Sequence, residues 1–325
     1  MDQTYDKYFL VTGGAGFIGS HFLNTFVPKY KNYHFLCIDR LSYASNYGYI
    51  ENLEKFKNYK FIKLDLSTVE VPDLLELFKK YKTSYIINFA AETSVDRSFK
   101  DPLLFTKNNI LSTQNLLECT RLLRYQIDLF FHVSTDEVYG NGRLHANEVS
   151  TTLEPTNPYA ATKASIDLIL NAYSTSYLLP IMIIRSNNIY GPGQNPEKLI
   201  PLCIENGLAS RPIPIHGNGE NIRVFLYITD ILDAVDLHSK YSYESIYNIG
   251  VRDPEYIYYL ENNIDLVKLI GEIFEFEPQI EFVKDRLYND FSYSLDCSRI
   301  YEMGWRPKVE LREGLEKLRD YYIVQ

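Results

Sequence analysis

A strand-length apolar run, residues 8–12, leads straight into Gly13-Gly14-Ala15-Gly16-Phe17-Ile18-Gly19, and this junction restricts the fold more than any other segment. Glycines stand at 13, 16 and 19 and also at 14, 16 and 19, so two spacings of a phosphate-cradling turn overlap. Such a turn needs dihedrals that side chains oppose, close approach of backbone to a pyrophosphate, and tight packing of the next helix on the strand. A helix opening at Phe17 would add amide donors and the positive end of its dipole. Asp39 ends the next apolar run, 20 residues beyond Gly19, where a carboxylate can hold a ribose 2′-hydroxyl. These features predict a dinucleotide site formed by Gly13, Gly16, Phe17, Ile18 and Gly19 with Asp39, Arg40 and Leu41, and with Asp65 and Leu66 beside the adenine. Arg40 suits a 2′-phosphate, but Asp39 would repel one, which favours NAD over NADP.

The run at 8–12 is the first of several. Residues 34–39, 60–65, 84–90 and 129–134 are also apolar or aromatic and of strand length, and helical spacing fills 17–28, 71–82 and 102–124. Alternating strands and helices predict an α/β fold, a Rossmann-type doubly wound parallel sheet whose ligands sit at the carboxyl ends of its strands. Asn157-Pro158 predicts the N-cap and first residue of a helix reaching about Tyr177, and 180–185 another core strand. After Gly191, prolines at 192, 196, 201, 212 and 214 break the alternation. The expected division is an NAD-binding domain carrying the catalytic residues, 1–190, and a smaller C-terminal α/β substrate-binding region, 191–325, with 223–230 returning to the main sheet.

Composition excludes other classes. With 33 Lys+Arg against 42 Asp+Glu the net charge is −9, which opposes nucleic-acid binding by phosphate neutralisation. No apolar run approaches the ~20 residues of a membrane span, and the first ten residues lack a secretory pattern, so a cytoplasmic protein with no membrane partner is expected. Cys37, Cys119, Cys203 and Cys297 lie too far apart for a CxxC pair, and the six histidines show no ligand spacing, so no metal site is expected.

Tyr159 and Lys163 form a YxxxK pair at the predicted helix start. Four residues of separation place both on one helical face, where an ammonium lowers a phenol's pKa and suits Tyr159 to proton transfer. Thr135-Asp136-Glu137 follows a core strand directly, and two adjacent carboxylates at the ligand end of a strand are costly to keep there without a task. Hydride transfer at a carbinol needs only Thr135, Tyr159 and Lys163. An added acid and base imply removal of one proton and protonation of a leaving group, that is, elimination of water.

The runs Val133-Ser-Thr-Asp-Glu-Val-Tyr-Gly140, Pro155-Thr-Asn-Pro-Tyr-Ala-Ala-Thr-Lys163, Asn187-Asn-Ile-Tyr-Gly-Pro192 and Pro196-Glu-Lys-Leu-Ile-Pro201 resemble the nucleotide-sugar 4,6-dehydratases of the extended short-chain dehydrogenase/reductase family. The likeness extends from the glycine loop to Gly304-Trp305-Arg306-Pro307. It implies that Tyr159 takes the sugar 4-hydroxyl proton as NAD takes the C4 hydride, that Glu137 removes the C5 proton, and that Asp136 protonates the departing C6 hydroxyl. Thr135 would hydrogen-bond the 4-oxygen, and Lys163 the nicotinamide ribose. The resemblance also puts Phe89, Ala90, Ala91, Thr93 and Asn108 along the cofactor, with Thr93 near the sugar as well. Asn188, Glu197, Lys198, Leu199 and Asn263 would line the substrate, Pro214 and His216 its pyrimidine, and Arg223 and Arg286 its diphosphate. Ser94, where bacterial dTDP-glucose enzymes show His, and the run Asp285-Arg-Leu-Tyr-Asn-Asp290 are closer to the plant rhamnose-synthase form and favour UDP-glucose. A UDP-glucose 4-epimerase, a UDP-glucuronate decarboxylase and a non-catalytic dinucleotide sensor are the competing expectations. The resemblance further implies a homodimer through the helices at 102–124 and 158–177.

Overall fold

A computed structural model describes residues 4–236, 245–251 and 260–324. Along the first part run β1 (Lys7–Thr12), α1 (Phe17–Lys29), β2 (Tyr33–Asp39), β3 (Tyr59–Lys63), α2 (Val71–Lys80), β4 (Tyr85–Asn88), α3 (Val95–Lys100), α4 (Pro102–Phe105), α5 (Ser112–Leu122) and β5 (Leu129–Thr135). They are followed by α6 (Pro158–Tyr177), β6 (Ile181–Ser186), β7 (Asn188–Tyr190), α7 (Leu199–Leu208), β8 (Ile213–His216), β9 (Ile222–Tyr227), α8 (Ile228–Asp236), β10 (Ser245–Ile249), β11 (Leu260–Asn262), α9 (Asn263–Phe274) and β12 (Ile280–Val283).

The seven-stranded sheet has the order β10-β6-β5-β4-β1-β2-β3, and the pairs β1–β2, β2–β3, β1–β4 and β4–β5 are parallel. The doubly wound sheet expected from the alternation is therefore present. The winding direction reverses between β1 and β4, so the ligand crevice opens at their carboxyl ends, beyond Thr12 and Asn88. Leu10, Leu36, Ile86 and Phe130 of the strands are buried against Leu74 and Phe78 of α2, Leu116 and Leu117 of α5, and Ile166 and Leu170 of α6. Each such side chain contributes about 1.5–3 kcal/mol by leaving water.

Two details depart from the expectations. The strand at Ile222–Tyr227 does not return to the main sheet: it is the centre of a three-stranded sheet with β7 and β11, and the seventh main-sheet strand is Ser245–Ile249. Apolar length marks a strand but carries no information on which sheet accepts it. The single helix expected over 102–124 is interrupted by a wide π turn, Thr106–Leu111. The extra residue in that turn lets neighbouring Asn108 and Asn109 both face inward, and π turns are frequent at functional sites.

The described residues fall into two compact units. One is formed by 1–134, 161–184 and 241–246, the other by 135–160, 185–240 and 247–325. The chain passes from one unit to the other several times, among other places between Ile184 and Arg185. The Thr135–Glu137 segment belongs to the second unit.

Candidate active site

In the first unit, Gly13 has φ +67°, and a Cβ there would stand 2.7 Å from the Ala90 backbone nitrogen; one at Gly19 would run into the Gly13 carbonyl oxygen. The turn is thus closed to any larger residue, as a backbone surface for a pyrophosphate requires. Gly16 occupies the N-cap of α1 with no side chain to satisfy the first-turn amides, Phe17 and Ile18 among them, which leaves that helix end suited to an anion. Asp39 is buried and accepts from Ala15 N at 3.0 Å, Leu41 N at 2.7 Å and Ser45 Oγ at 3.0 Å. It therefore fixes the glycine turn and still offers one of a carboxylate's roughly four acceptor positions to a hydroxyl. Leu41 has φ +60°, a left-handed conformation that costs about 1–3 kcal/mol and is held by this bond to Asp39.

Arg40 lies between two carboxylates, ion-paired with Glu92 and 3.6 Å from Asp65. A 2′-phosphate would have to compete with both, which strengthens the preference for an unphosphorylated ribose. Asn108 donates to the same Glu92 at 3.2 Å. Phe89, Ala90 and Ala91 follow β4 and are partly buried, Leu66 is buried, and Thr93 is exposed. These residues, as placed, fit a dinucleotide along the crevice.

Lys163 is almost fully buried in α6 and donates to Val133 O at 2.6 Å. Burial lowers its pKa to about 8, against the pull of Asp167 one turn on. Beside it, His132 is buried and held well below the usual imidazole range by desolvation and by Lys163. Tyr159, a turn earlier on α6, is also buried.

In the second unit the acid pair follows the end of β5. Thr135 Oγ1 donates to Asp136 Oδ1 at 3.2 Å and accepts from Glu137 N at 3.3 Å. Asn187 donates to Asp136 Oδ2 at 2.8 Å while its own oxygen accepts from Val251 N, which fixes the amide's orientation. Asn157 behaves alike: Oδ1 caps α6 through Ala160 N at 2.8 Å, as expected, and Nδ2 donates to Glu137 Oε2 at 3.1 Å.

Asp136 is 2% exposed, and burial pushes its carboxyl up to about 7, with the Glu137 charge adding to the rise and Asn187 opposing it. Glu137 is only partly buried; desolvation and Asp290 raise it, while Asn157, Arg223 and Lys198 pull it down. Desolvation therefore raises both carboxyls, but their surroundings differ: Asp136 is closed off and accepts from Asn187, while Glu137 is partly open and accepts from Asn157.

Of the residues expected to line the substrate, Lys198 and Arg223 are brought to the acid pair by their charge on Glu137. Arg223 also holds the 289–291 segment, donating to Phe291 O at 3.2 Å and Asn289 Oδ1 at 3.3 Å. Asn188 lies on β7, and Glu197 and Leu199 frame Lys198 at the start of α7. Pro214 and His216 lie on β8, in a separate two-stranded sheet with β12, where His216 Nδ1 donates to Lys284 O at 3.2 Å. Arg286 donates its backbone N–H to Asp285. Asn263 opens α9 with its side-chain oxygen buried and unpartnered, an acceptor-ready group in the same unit.

Sequence reasoning missed the second functions of Asn157 and Asn187 and the contribution of Asp290, which accepts from Thr156 and Tyr293. It also missed Asn88, Asn109 and His132. Asn88 and His132 each sit inside an apolar run, where the available signal was a lone polar residue within a buried strand, and Asn109 follows the polar stretch Thr106-Lys107-Asn108, which gave no such signal.

The family model for GDP-mannose 4,6-dehydratase matches residues 10–318. The chain is 43% identical to an uncharacterized protein of Schizosaccharomyces pombe, over 98% of both chains. It is 39% identical to the trifunctional UDP-glucose 4,6-dehydratase/UDP-4-keto-6-deoxy-D-glucose 3,5-epimerase/UDP-4-keto-L-rhamnose-reductase of Arabidopsis thaliana, over 99% of this chain but only 48% of that one. It is also similar to the crystal structure of a dTDP-glucose 4,6-dehydratase from Streptomyces venezuelae with NAD bound: TM-score 0.88, 34% identity, 98% of this chain and 97% of the other covered.

Proposed function

Since the chain belongs to the GDP-mannose 4,6-dehydratase family of nucleotide-sugar 4,6-dehydratases, we propose that it removes water from UDP-glucose to give UDP-4-keto-6-deoxyglucose, with NAD as resident cofactor. The observation that carries this reading is the acid pair: Asp136 buried, with its pKa pushed up to about 7 and accepting from Asn187, beside a more exposed Glu137 that accepts from Asn157. An epimerase has no use for a second acid at this position.

Bound in the glycine-loop crevice, NAD would supply reversible hydride storage, accepting at C4 and returning at C6. The chain's own residues do the rest. Tyr159 takes the 4-hydroxyl proton, and Thr135 holds the 4-oxygen by hydrogen bond. Lys163 steadies the nicotinamide ribose. The C4 ketone acidifies the C5 proton, which Glu137 removes. Asp136, still protonated, delivers its proton to the C6 hydroxyl as it leaves, and Glu137 gives its proton back to C5 as the hydride enters at C6. Arg223, Arg286 and Lys198 bind the diphosphate, the fork of each guanidinium matching phosphate oxygens.

UDP is favoured over dTDP by Ser94 and by the 285–290 run, and by the likeness to the plant enzyme whose name carries UDP-glucose. A homodimer is supported by apolar side chains left exposed on the helices expected to pair, Leu103, Leu111, Leu122 and Leu168. Four free, buried cysteines suit a reducing cytoplasm. No helix among the described residues is long and apolar enough to cross a membrane.

The test is incubation of the purified protein, without added cofactor, with UDP-glucose, dTDP-glucose and GDP-mannose separately, followed by mass spectrometry. Loss of one water from UDP-glucose in preference to the others is expected. Loss from none refutes the activity, and a preference for another substrate corrects the nucleotide.

A further inference from the structure

Thr12, Asn88 and His132 occupy one register level across β1, β4 and β5: Thr12 pairs with Asn88 and Asn88 with His132 in the strand ladders. All three are nearly inaccessible to solvent, so their polar atoms must satisfy one another. The bonding has one solution. Thr113 Oγ1 donates its single proton to Asn109 O at 2.8 Å, so toward Asn88, 3.2 Å away, it can only accept. Asn88 therefore presents Nδ2 to Thr113 and Oδ1 to Thr12, whose hydroxyl donates at 2.6 Å. The second Nδ2 hydrogen points at His132 Nδ1, 3.0 Å away, and that nitrogen must be an acceptor. A neutral His132 then carries its proton on Nε2, the atom that faces Lys163 Nζ at 3.4 Å. An ammonium has no lone pair, so the two nitrogens meet as donors, and 3.4 Å is longer than the donor–acceptor separation of about 2.7–3.2 Å usual for an N–H hydrogen bond to oxygen. Once Lys163 loses a proton, its lone pair can accept from Nε2–H.

We propose that Asn88 and His132 are positioning residues that set the protonation of Lys163: the Nε2–H tautomer opposes the ammonium and hydrogen-bonds the amine, so Lys163 releases its proton more readily than burial alone dictates. Among the described residues, the titratable groups that act on Lys163 are Asp167 on α6 and His132 on β5. Asp167 acts in the opposite sense. The consequence for the site is a less firmly charged lysine in the role of binding ribose. This role rests on the proposed chemistry, but the tautomer and the titration do not, and both are measurable without turnover.

The first experiment uses the unaltered protein. Nitrogen-15 NMR of histidine-labelled chain should show His132 with Nδ1 unprotonated and Nε2 protonated. The signal is assigned by its loss in His132→Gln or, should that variant not fold, by slow exchange with solvent. A proton on Nδ1 overturns the proposal. The second follows Lys163 with carbon-13 at lysine Cε as pH is raised. Asn88→Asp reverses the ring, because a carboxylate takes Nδ1–H and leaves Nε2 to accept from the ammonium. The Lys163 titration should then move up by about one pH unit, a tenfold gain in proton affinity. The new charge alone would also raise it, so the same substitution is made in His132→Leu, where less than half that shift is expected. An equal shift with and without His132 would show plain charge attraction and refute the relay.

Discussion

Lys163 in the first unit and Asp136 in the second show the same physics with opposite signs. Burial favours the neutral form of each, lowering the lysine to about 8 and raising the aspartic acid to about 7. What differs is the means of correction. Around Lys163 the neighbours are neutral amides, hydroxyls and an imidazole in a closed series, with Asp167 the one carboxylate acting on it among the described residues. Around the acid pair, oriented amides from Asn157 and Asn187 are joined by the cations Lys198 and Arg223, and the Asn157 amide and the two cations oppose the rise that desolvation imposes on Glu137. Desolvation alone favours the neutral form of every group, and each unit opposes it by different means.

The comparison breaks most severely at Asp136. Asp136→Asn removes the proton donor but keeps an acceptor for Asn187, and water loss should fall by about 100-fold or more, the usual contribution of a general acid. A single-turnover assay of water loss reads it; a fall under tenfold would return Asp136 to a structural role. The same variant tests the sign of the pKa. With a folded value near 7 and an unfolded value near 4, the native state binds the extra proton between those limits, so the wild type should lose stability as pH rises from 4 to 7. Asp136→Asn should flatten that slope in denaturant titrations.

Asn187→Leu should cost about 1–3 kcal/mol by leaving Val251 N unpaired. It should also raise the Asp136 titration further, because the carboxylate loses its donor, so the alkaline limb of the pH–rate profile moves upward. Thr113→Val removes the acceptor for one Asn88 hydrogen in the other unit, and a loss of about 1 kcal/mol in chemical unfolding is expected, with little change in the acid pair's pH dependence. The smallest effect should come from Asp290→Asn: Glu137 loses a repelling charge, and the acidic limb should shift down by less than about one unit.

What was legible in the sequence is what local spacing encodes. The glycine turn, Asp39, the Asn157 cap, the YxxxK helix and the Thr-Asp-Glu strand end are each contained within a few residues, and each lies where the pattern put it. The polar row Thr12–Asn88–His132 was not legible, because its members are 76 and 44 residues apart and meet only through parallel pairing of nonadjacent segments. The same holds for β9, whose apolar run fits either sheet, and for the π turn, whose cause is the remote bonding of Asn109 to Glu92 and Thr162.

The central claim is that elimination resides in the carboxyl pair and is separable from oxidation at C4. It is tested most directly by mixing UDP-glucose with the Asp136→Asn, Glu137→Gln double variant and following reduced-nicotinamide absorbance together with product mass. Accumulation of reduced nicotinamide with no loss of water is the predicted result. Dehydration at the wild-type rate would contradict the account.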